Sequence, residues 1–213
     1  MSAGVTIVDY GSGNLLSVAR ALEHCGANVR LSGDPAEIER ADRLLVPGVG
    51  AFAEGMHGLE QQQLVEPIKA FARAGRPLLG ICLGMQMLAS RSLEFGETEG
   101  LRLIEGDVVA IPNVTVDGAR LKTPHIGWAS LHPGPQSSWG NTVMRSLSIG
   151  ASAYLVHSFH MKPADSRDIL ALATYGGHEI TAAIQRENII GCQFHPEKSG
   201  ENGLKLLGHF LEL

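Results

Sequence analysis

The sequence predicts an α/β protein: a central, mostly parallel sheet flanked by helices, with added antiparallel strands in the C-terminal half. Three observations carry this. Short β-branched, apolar runs alternate with helically spaced apolar residues through the first half of the chain. Those runs are apolar on both faces, as strands buried in a parallel sheet are. Many of the 26 glycines stand where an apolar run stops, which suits tight turns between strand and helix.

Taken in order, Val5 to Val8 reads as a strand that breaks at Tyr10-Gly11-Ser12-Gly13-Asn14, before Leu15, Leu16, Val18, Ala19 and Leu22 recur at helical spacing. The unit then repeats. Asn28 to Leu31 is a strand, Asp34-Pro35 a helix start, and Arg43 to Val46 a third strand ending at Pro47-Gly48. One helix is expected over Leu59 to Ala74, followed by a strand over Pro77 to Ile81 and a helix opening after Cys82. From about Gly106 the pattern becomes short β-rich runs: Asp107 to Ile111, Trp128 to Leu131, Tyr154 to Phe159, Ile169 to Tyr175, Ile180 to Gln185 and Ile189 to Phe194. These read as partly antiparallel strands that extend the sheet or add a smaller one. Gly203 to Phe210 closes the chain as a helix. No linker or repeat divides it, so residues 1–213 are expected to form a single domain.

A net charge of -5, with Lys and Arg scattered, offers no field for a nucleic-acid backbone. No apolar run is long enough to span a bilayer, and the first residues lack a signal-peptide layout, so a cytoplasmic protein with no membrane partner is expected. Three cysteines without C-x-x-C spacing suggest neither disulfide framework nor metal site. No cofactor motif is present either: Gly11-Ser12-Gly13-Asn14 lacks the remainder of a phosphate loop and reads as a turn.

Gly80-Ile81-Cys82-Leu83-Gly84 is a G-x-C-x-G corner between a buried strand and a helix. Flanking glycines are expected to let the chain turn sharply and lift the thiol out of the sheet's end. The helix N-terminus then faces the sulfur, and the Leu83 amide lacks an intrahelical partner, free to bind an oxyanion. By itself this segment reads equally as a small hydrophobe ending a core strand. Near the other terminus, Gln193-Phe194-His195-Pro196-Glu197-Lys198 follows a strand. On extended chain, residues two apart share a side, so Glu197 can fix the tautomer of His195 and leave its other nitrogen to take a thiol proton. An isolated H-x-E is more often a surface turn. The conjunction of elbow cysteine and acid-paired histidine, both suited to the C-terminal edge of a sheet, shifts the balance towards chemistry.

The segments Gly80 to Gln86 and Phe194 to Glu197 together resemble the paired signatures of class I glutamine amidotransferases. Asp9 to Leu15, Pro47 to Phe52, Pro124 to Trp128, Tyr154 to Phe159 and Glu197 to Gly200 extend the resemblance along the whole chain, nearest to glutaminase subunits of histidine biosynthesis. The resemblance implies that Cys82 attacks the side-chain amide of L-glutamine, that His195, steadied by Glu197, protonates the leaving ammonia, and that water releases glutamate from the thioester. It implies an oxyanion hole from backbone N–H groups of Gly48, Val49 and Leu83. Gly50, Gln86 and the His157-Ser158-Phe159 backbone would hold the glutamine. The partner it implies is a cyclase subunit with a (β/α)8 barrel, bound as a heterodimer, with Asn14, Trp128 and Lys198 at the interface. Trp128 also reads as plain core, and Lys198 as a solvated lysine. The chain departs from the family pattern at Ala129, where Asn is frequent, and at Phe159, where Tyr is usual.

Many relatives carry Pro-Gly-Gly where this chain has Pro47-Gly48-Val49. A β-branched residue reaches positive φ only at a cost, so the Gly48–Val49 peptide is expected to point away from the oxyanion until a partner docks. Other functions on such a scaffold are a γ-glutamyl hydrolase, an intracellular protease of the DJ-1-like group, or a non-catalytic module. The protease group often places its histidine directly after the cysteine, whereas Leu83 stands there. Cys25 and Cys192 read as core, and His24, His57, His132, His178 and His209 receive no role.

Overall fold

The computed structural model describes residues 3–213. Its strands are β1 (Gly4–Val8), β2 (Asn28–Ser32), β3 (Leu44–Val46), β4 (Leu78–Ile81), β5 (Arg91–Ser92), β6 (Thr98–Glu99), β7 (Gly106–Ala110), β8 (His125–Pro133), β9 (Ser152–His157), β10 (Phe159–Pro163), β11 (Ile169–Tyr175), β12 (His178–Arg186) and β13 (Ile189–Cys192). The helices are α1 (Leu15–His24), α2 (Pro35–Arg40), α3 (Phe52–Gln61), α4 (Val65–Arg73), α5 (Leu83–Met87) and α6 (Gly200–Leu211).

A nine-stranded sheet runs β2-β1-β3-β4-β13-β12-β11-β8-β9, and a four-stranded sheet runs β10-β7-β5-β6. The strands from β2 through β13 pair parallel, and those from β13 to β9 pair antiparallel, the mixed architecture that the sequence predicts.

The inner parallel strands β1, β3, β4 and β13 are buried because both faces are covered, whereas β2, at the edge, is largely exposed. In β4, Leu79 and Ile81 enter the layer beneath α1 and α6, with Leu22 and Phe210, while Leu78 enters the opposite layer under α2 to α5, with Ile38, Leu59 and Phe71. Period-two alternation of side chains divides one run between two cores. Asp34 caps α2, its carboxylate accepting the Ala36 N–H at 2.7 Å, with Pro35 at the first helical position.

Two expectations need correction. The helix expected over Leu59 to Ala74 is two, α3 and α4, because the chain breaks at Gln63, whose φ of 57° no helix tolerates. The single strand expected over Tyr154 to Phe159 is also two: β9 pairs with β8 in the large sheet, β10 with β7 in the small one, and Ser158 is the corner between them. Among the described residues no helix is long and apolar enough to cross a membrane.

The parallel register brings the site together. Ile81 is opposite Cys192 in the β4–β13 pair, and the Cys82 N–H donates to the Cys192 carbonyl at 2.8 Å. Residues leaving β4 and β13 at their C-terminal ends are therefore neighbours, although more than a hundred positions separate them.

Candidate active site

Cys82 adopts φ 56° and ψ -112°, so the cysteine itself takes the left-handed turn that lifts it from the sheet. Such a backbone costs about 1–3 kcal/mol and persists only where its surroundings over-determine it. Here the Cys192 carbonyl holds its N–H, and its own carbonyl accepts from Gln86 N at 3.2 Å. The flanking glycines were expected to make the turn, and this is the correction: they permit contact instead. A Cβ on Gly80 would lie 2.7 Å from the Gly84 carbonyl oxygen, and one on Gly84 only 1.8 Å from the Val46 oxygen. Because α5 spans five residues, its dipole acts over a short reach, and the Leu83 amide at its first position is the nearer source of positive charge.

His195 is 5% exposed, and its backbone is fixed on every side. Its N–H donates to the Tyr154 carbonyl at 3.0 Å, and its carbonyl accepts the Ser199 hydroxyl at 2.7 Å. Pro196 to Lys198 form one 3-10 turn rather than the extended chain expected, with proline at the turn's first position, where its missing N–H costs nothing. The pairing survives: His195 Nδ1–H donates to Glu197 Oε1 at 2.9 Å, and the carboxylate side chain is only 1% exposed. Burial opposes charge on the imidazole, yet hydrogen bonding to the Cys82 sulfur and to Glu197 overrides it and raises the pKa to about 9. With Nδ1 committed to Glu197, Nε2 is the nitrogen left for the sulfur.

Val49, Gly50, Cys82, Leu83, Gln86, His157, Ser158, Phe159, His195 and Lys198 all line one cleft at this edge. Gly48 lies behind it, packed so closely that a Cβ would stand 2.7 Å from the Tyr10 hydroxyl. Glu197 is buried behind His195. Asn14 is exposed just before α1, and Trp128 is 58% exposed on β8, edge-on to Tyr154, so the plain-core reading of Trp128 is set aside. Cys192 is a core residue as expected, whereas Cys25 is only partly buried. Val49 is absent from the left-handed residues, which among its neighbours include Gly50 at φ 97°, and its carbonyl accepts the Ser12 hydroxyl at 3.1 Å.

Part of the wall expected to hold ligand is already engaged. The Phe159 carbonyl accepts from both Gln86 Nε2, at 3.0 Å, and His157 Nδ1, at 2.8 Å, and the Ser158 carbonyl accepts from Ile111 N at 2.9 Å. Both carbonyls are thus used within the chain, leaving the N–H groups and the Gln86 side chain as the polar offer. His157 is buried, which with the nearby His125 pushes its pKa down to about 4 despite the bond to Phe159. It is neutral at pH 7, and His125 Nδ1–H donates to its Nε2 across 3.2 Å.

Three residues on the site escaped sequence reasoning. Gln193 stands between Gln86 and the sulfur; it belongs to the motif around His195 and lies two positions before it, so alternation was the available signal. Glu94 reaches the cleft while its carboxylate accepts the Phe52 N–H at 2.7 Å, and Tyr10 donates to the Pro47 carbonyl at 2.9 Å, bracing the loop before Val49. Nothing local in sequence marks Glu94, and Tyr10 stands in the Asp9 to Leu15 segment without a cue to this contact.

Residues 6–212 match the family model described as glutamine amidotransferase class-I, and the chain belongs to that family. It is 52% identical over 212 residues to imidazole glycerol phosphate synthase subunit HisH 1 of Legionella pneumophila (strain Paris), covering 99% of this chain and 100% of that one. It is 47% identical over 210 residues to imidazole glycerol phosphate synthase subunit HisH of Lacticaseibacillus casei (strain BL23), covering 98% and 95% of the two chains. Among solved structures, one titled crystal structure of glutamine amidotransferase superposes with a TM-score of 0.74 at 18% identity over 98% of each chain. PurLQS from Thermotoga maritima superposes at 0.72, also at 18%, over 100% of this chain and 99% of that one. At that identity the structural likeness speaks for the fold alone.

Proposed function

We propose that this chain is the glutaminase subunit of an imidazole glycerol phosphate synthase, hydrolysing L-glutamine and passing ammonia to a cyclase subunit with a (β/α)8 barrel, as a heterodimer in the cytoplasm. The observation that carries the reading is the adjacency, across the β4–β13 pair, of the strained Cys82 corner and the His195–Glu197 pair at 2.9 Å. At neutral pH His195 already holds the proton, so the sulfur adds to the amide carbon as thiolate. The resulting oxyanion meets the Leu83 N–H and, once turned, the Gly48–Val49 peptide. Collapse breaks the C–N bond while His195 gives its proton to the departing ammonia, leaving a thioester. Water then attacks, giving its proton to the now neutral His195, and glutamate leaves with the thiolate–imidazolium pair restored. Gln86 spends both Nε2 hydrogens on Phe159 and Gln193, so its Oε1 is left to accept from the substrate's α-ammonium. Ammonia in the barrel would join a phosphoribosyl formimino carboxamide ribotide to give imidazole glycerol phosphate and an aminoimidazole carboxamide ribotide. Asn14, Lys198 and the exposed Trp128 are proposed partner contacts; Ile126, 57% exposed, stands two positions before Trp128 on the same side of β8.

The pH dependence has a definite sign. A folded pKa of about 9 lies above the usual imidazole value of 6.5, so the proton is held at neutral pH and lost as pH rises through 9. Its contribution to stability is full below 6.5 and fades across the same window. Glutaminase activity of the assembled complex is expected to fall on the alkaline side near pH 9. Glu197→Gln should move that limb towards neutrality, as a pH–rate profile of glutamate release would report.

Val49→Gly removes the branched side chain that disfavours the turned peptide. The isolated chain should then hydrolyse glutamine on the order of 10- to 100-fold faster, within the 10² to 10³ that one oxyanion donor supplies. Glutamate release by the full chain, with and without a barrel cyclase, tests both points. Equal turnover by the isolated wild-type chain and the complex would remove the case for partner-gated activity.

A further inference from the structure

Gln193 is wholly buried one residue beyond β13, where its N–H donates to the Ala182 carbonyl at 2.8 Å. Its side chain is held at both ends. The amide oxygen accepts Gln86 Nε2 at 2.9 Å, and Gln86 is itself oriented because its other hydrogen goes to the Phe159 carbonyl at 3.0 Å. An amide whose oxygen is fixed has its NH2 fixed too, and here that group faces the Cys82 sulfur at 3.7 Å. Besides the His195 imidazole, the sulfur also has the Val156 carbonyl at 4.0 Å, an acceptor that favours the thiol over the thiolate.

We infer that Gln193 is a positioning residue for the nucleophile: locked by Gln86, its NH2 donates to the Cys82 sulfur, stabilises it as thiolate and holds it off the Val156 carbonyl. The inference rests on Cys82 being the nucleophile and assigns it a second support besides the His195–Glu197 pair. A buried donor aimed at a sulfur favours the form that carries negative charge, because the low-dielectric surroundings strengthen the bond to an anion and give a neutral thiol little. Since Gln86 also lines the cleft, the same chain of bonds ties the ligand wall to the sulfur. The other ionisable groups acting on Cys82 are His195, Tyr10 and Cys192, none of which a change at Gln193 replaces.

The test uses the full chain and reads the sulfur itself: rates of iodoacetamide alkylation of the Cys82 peptide, by mass spectrometry from pH 5 to 10, for wild type, Gln193→Met and Gln193→Glu. Met fills similar volume without a donor. Glu keeps the shape and still accepts from Gln86, but sets an acceptor against the sulfur. Alkylation at pH 7 should fall about tenfold in Gln193→Met and further in Gln193→Glu, each profile displaced to higher pH. A role in packing alone would leave both profiles where wild type has them, and that result overturns the proposal. Gln193→Glu keeps the question open to an answer if the Met variant does not fold. Because alkylation requires no turnover, its outcome is separate from whether the chain is a glutaminase, which glutamate release decides.

Discussion

Cys82→Ala is expected to lower glutamine hydrolysis by about 10⁴-fold or more, some 5 kcal/mol of barrier, while leaving the fold intact. The size follows from chemistry: without the sulfur no thioester forms, and the donors that remain can stabilise only a direct attack by water. The stability change should be small, because alanine fits the space and inherits the same backbone strain at φ 56°. Ammonia-driven synthesis by the complex with its cyclase should survive, since the variant removes only the source of ammonia. Assays run side by side with glutamine and with ammonium salts check this. A variant that still used glutamine would overturn the assignment of the nucleophile.

Gly84→Ala should be nearly as damaging for a different reason. Its Cβ would fall 1.8 Å from the Val46 oxygen and 2.8 Å from the Val46 carbon, both backbone atoms that cannot rotate away. Either α5 or β3 must move, costing on the order of 3 kcal/mol, or roughly 10 °C of melting temperature for a chain this size. The movement also displaces the Leu83 amide from the sulfur, so residual activity should drop beyond what stability explains. Gly208→Ala is the control. Nothing lies within 4 Å of its Cβ in the last turn of α6, so this change should be neutral or stabilising by up to about 1 kcal/mol. Thermal unfolding of the two variants beside wild type distinguishes close approach from glycine loss in general.

The parallel half of the fold was legible because its inner strands are buried on both faces: Val5 to Val8, Leu44 to Val46 and Leu78 to Ile81 are largely apolar runs with glycine or proline close behind. The break at Gln63 was not, since a left-handed glutamine carries no glycine or proline to announce it. Nor was the corner at Ser158. Tyr154 to Phe159 has uniform strand character, and which sheet claims each half depends on β8 and β7, distant in sequence. The same division holds at the site. Cys82, His195 and Glu197 sit in local patterns whose chemistry can be read residue by residue, whereas Gln193 gains its meaning only when β13 brings it beside β4. The glycines around Cys82 are legible as special positions but their reason is not, because a positive φ and a close contact look alike in sequence.

One measurement goes to the centre of the account: intact-mass and peptide analysis of the full chain, in complex with a barrel cyclase, after exposure to a diazoketone analogue of glutamine. A single adduct on Cys82, suppressed by excess glutamine and lost in His195→Ala, is the predicted result. Labelling of Cys25 instead, which is partly exposed, or labelling that glutamine does not suppress, would contradict it.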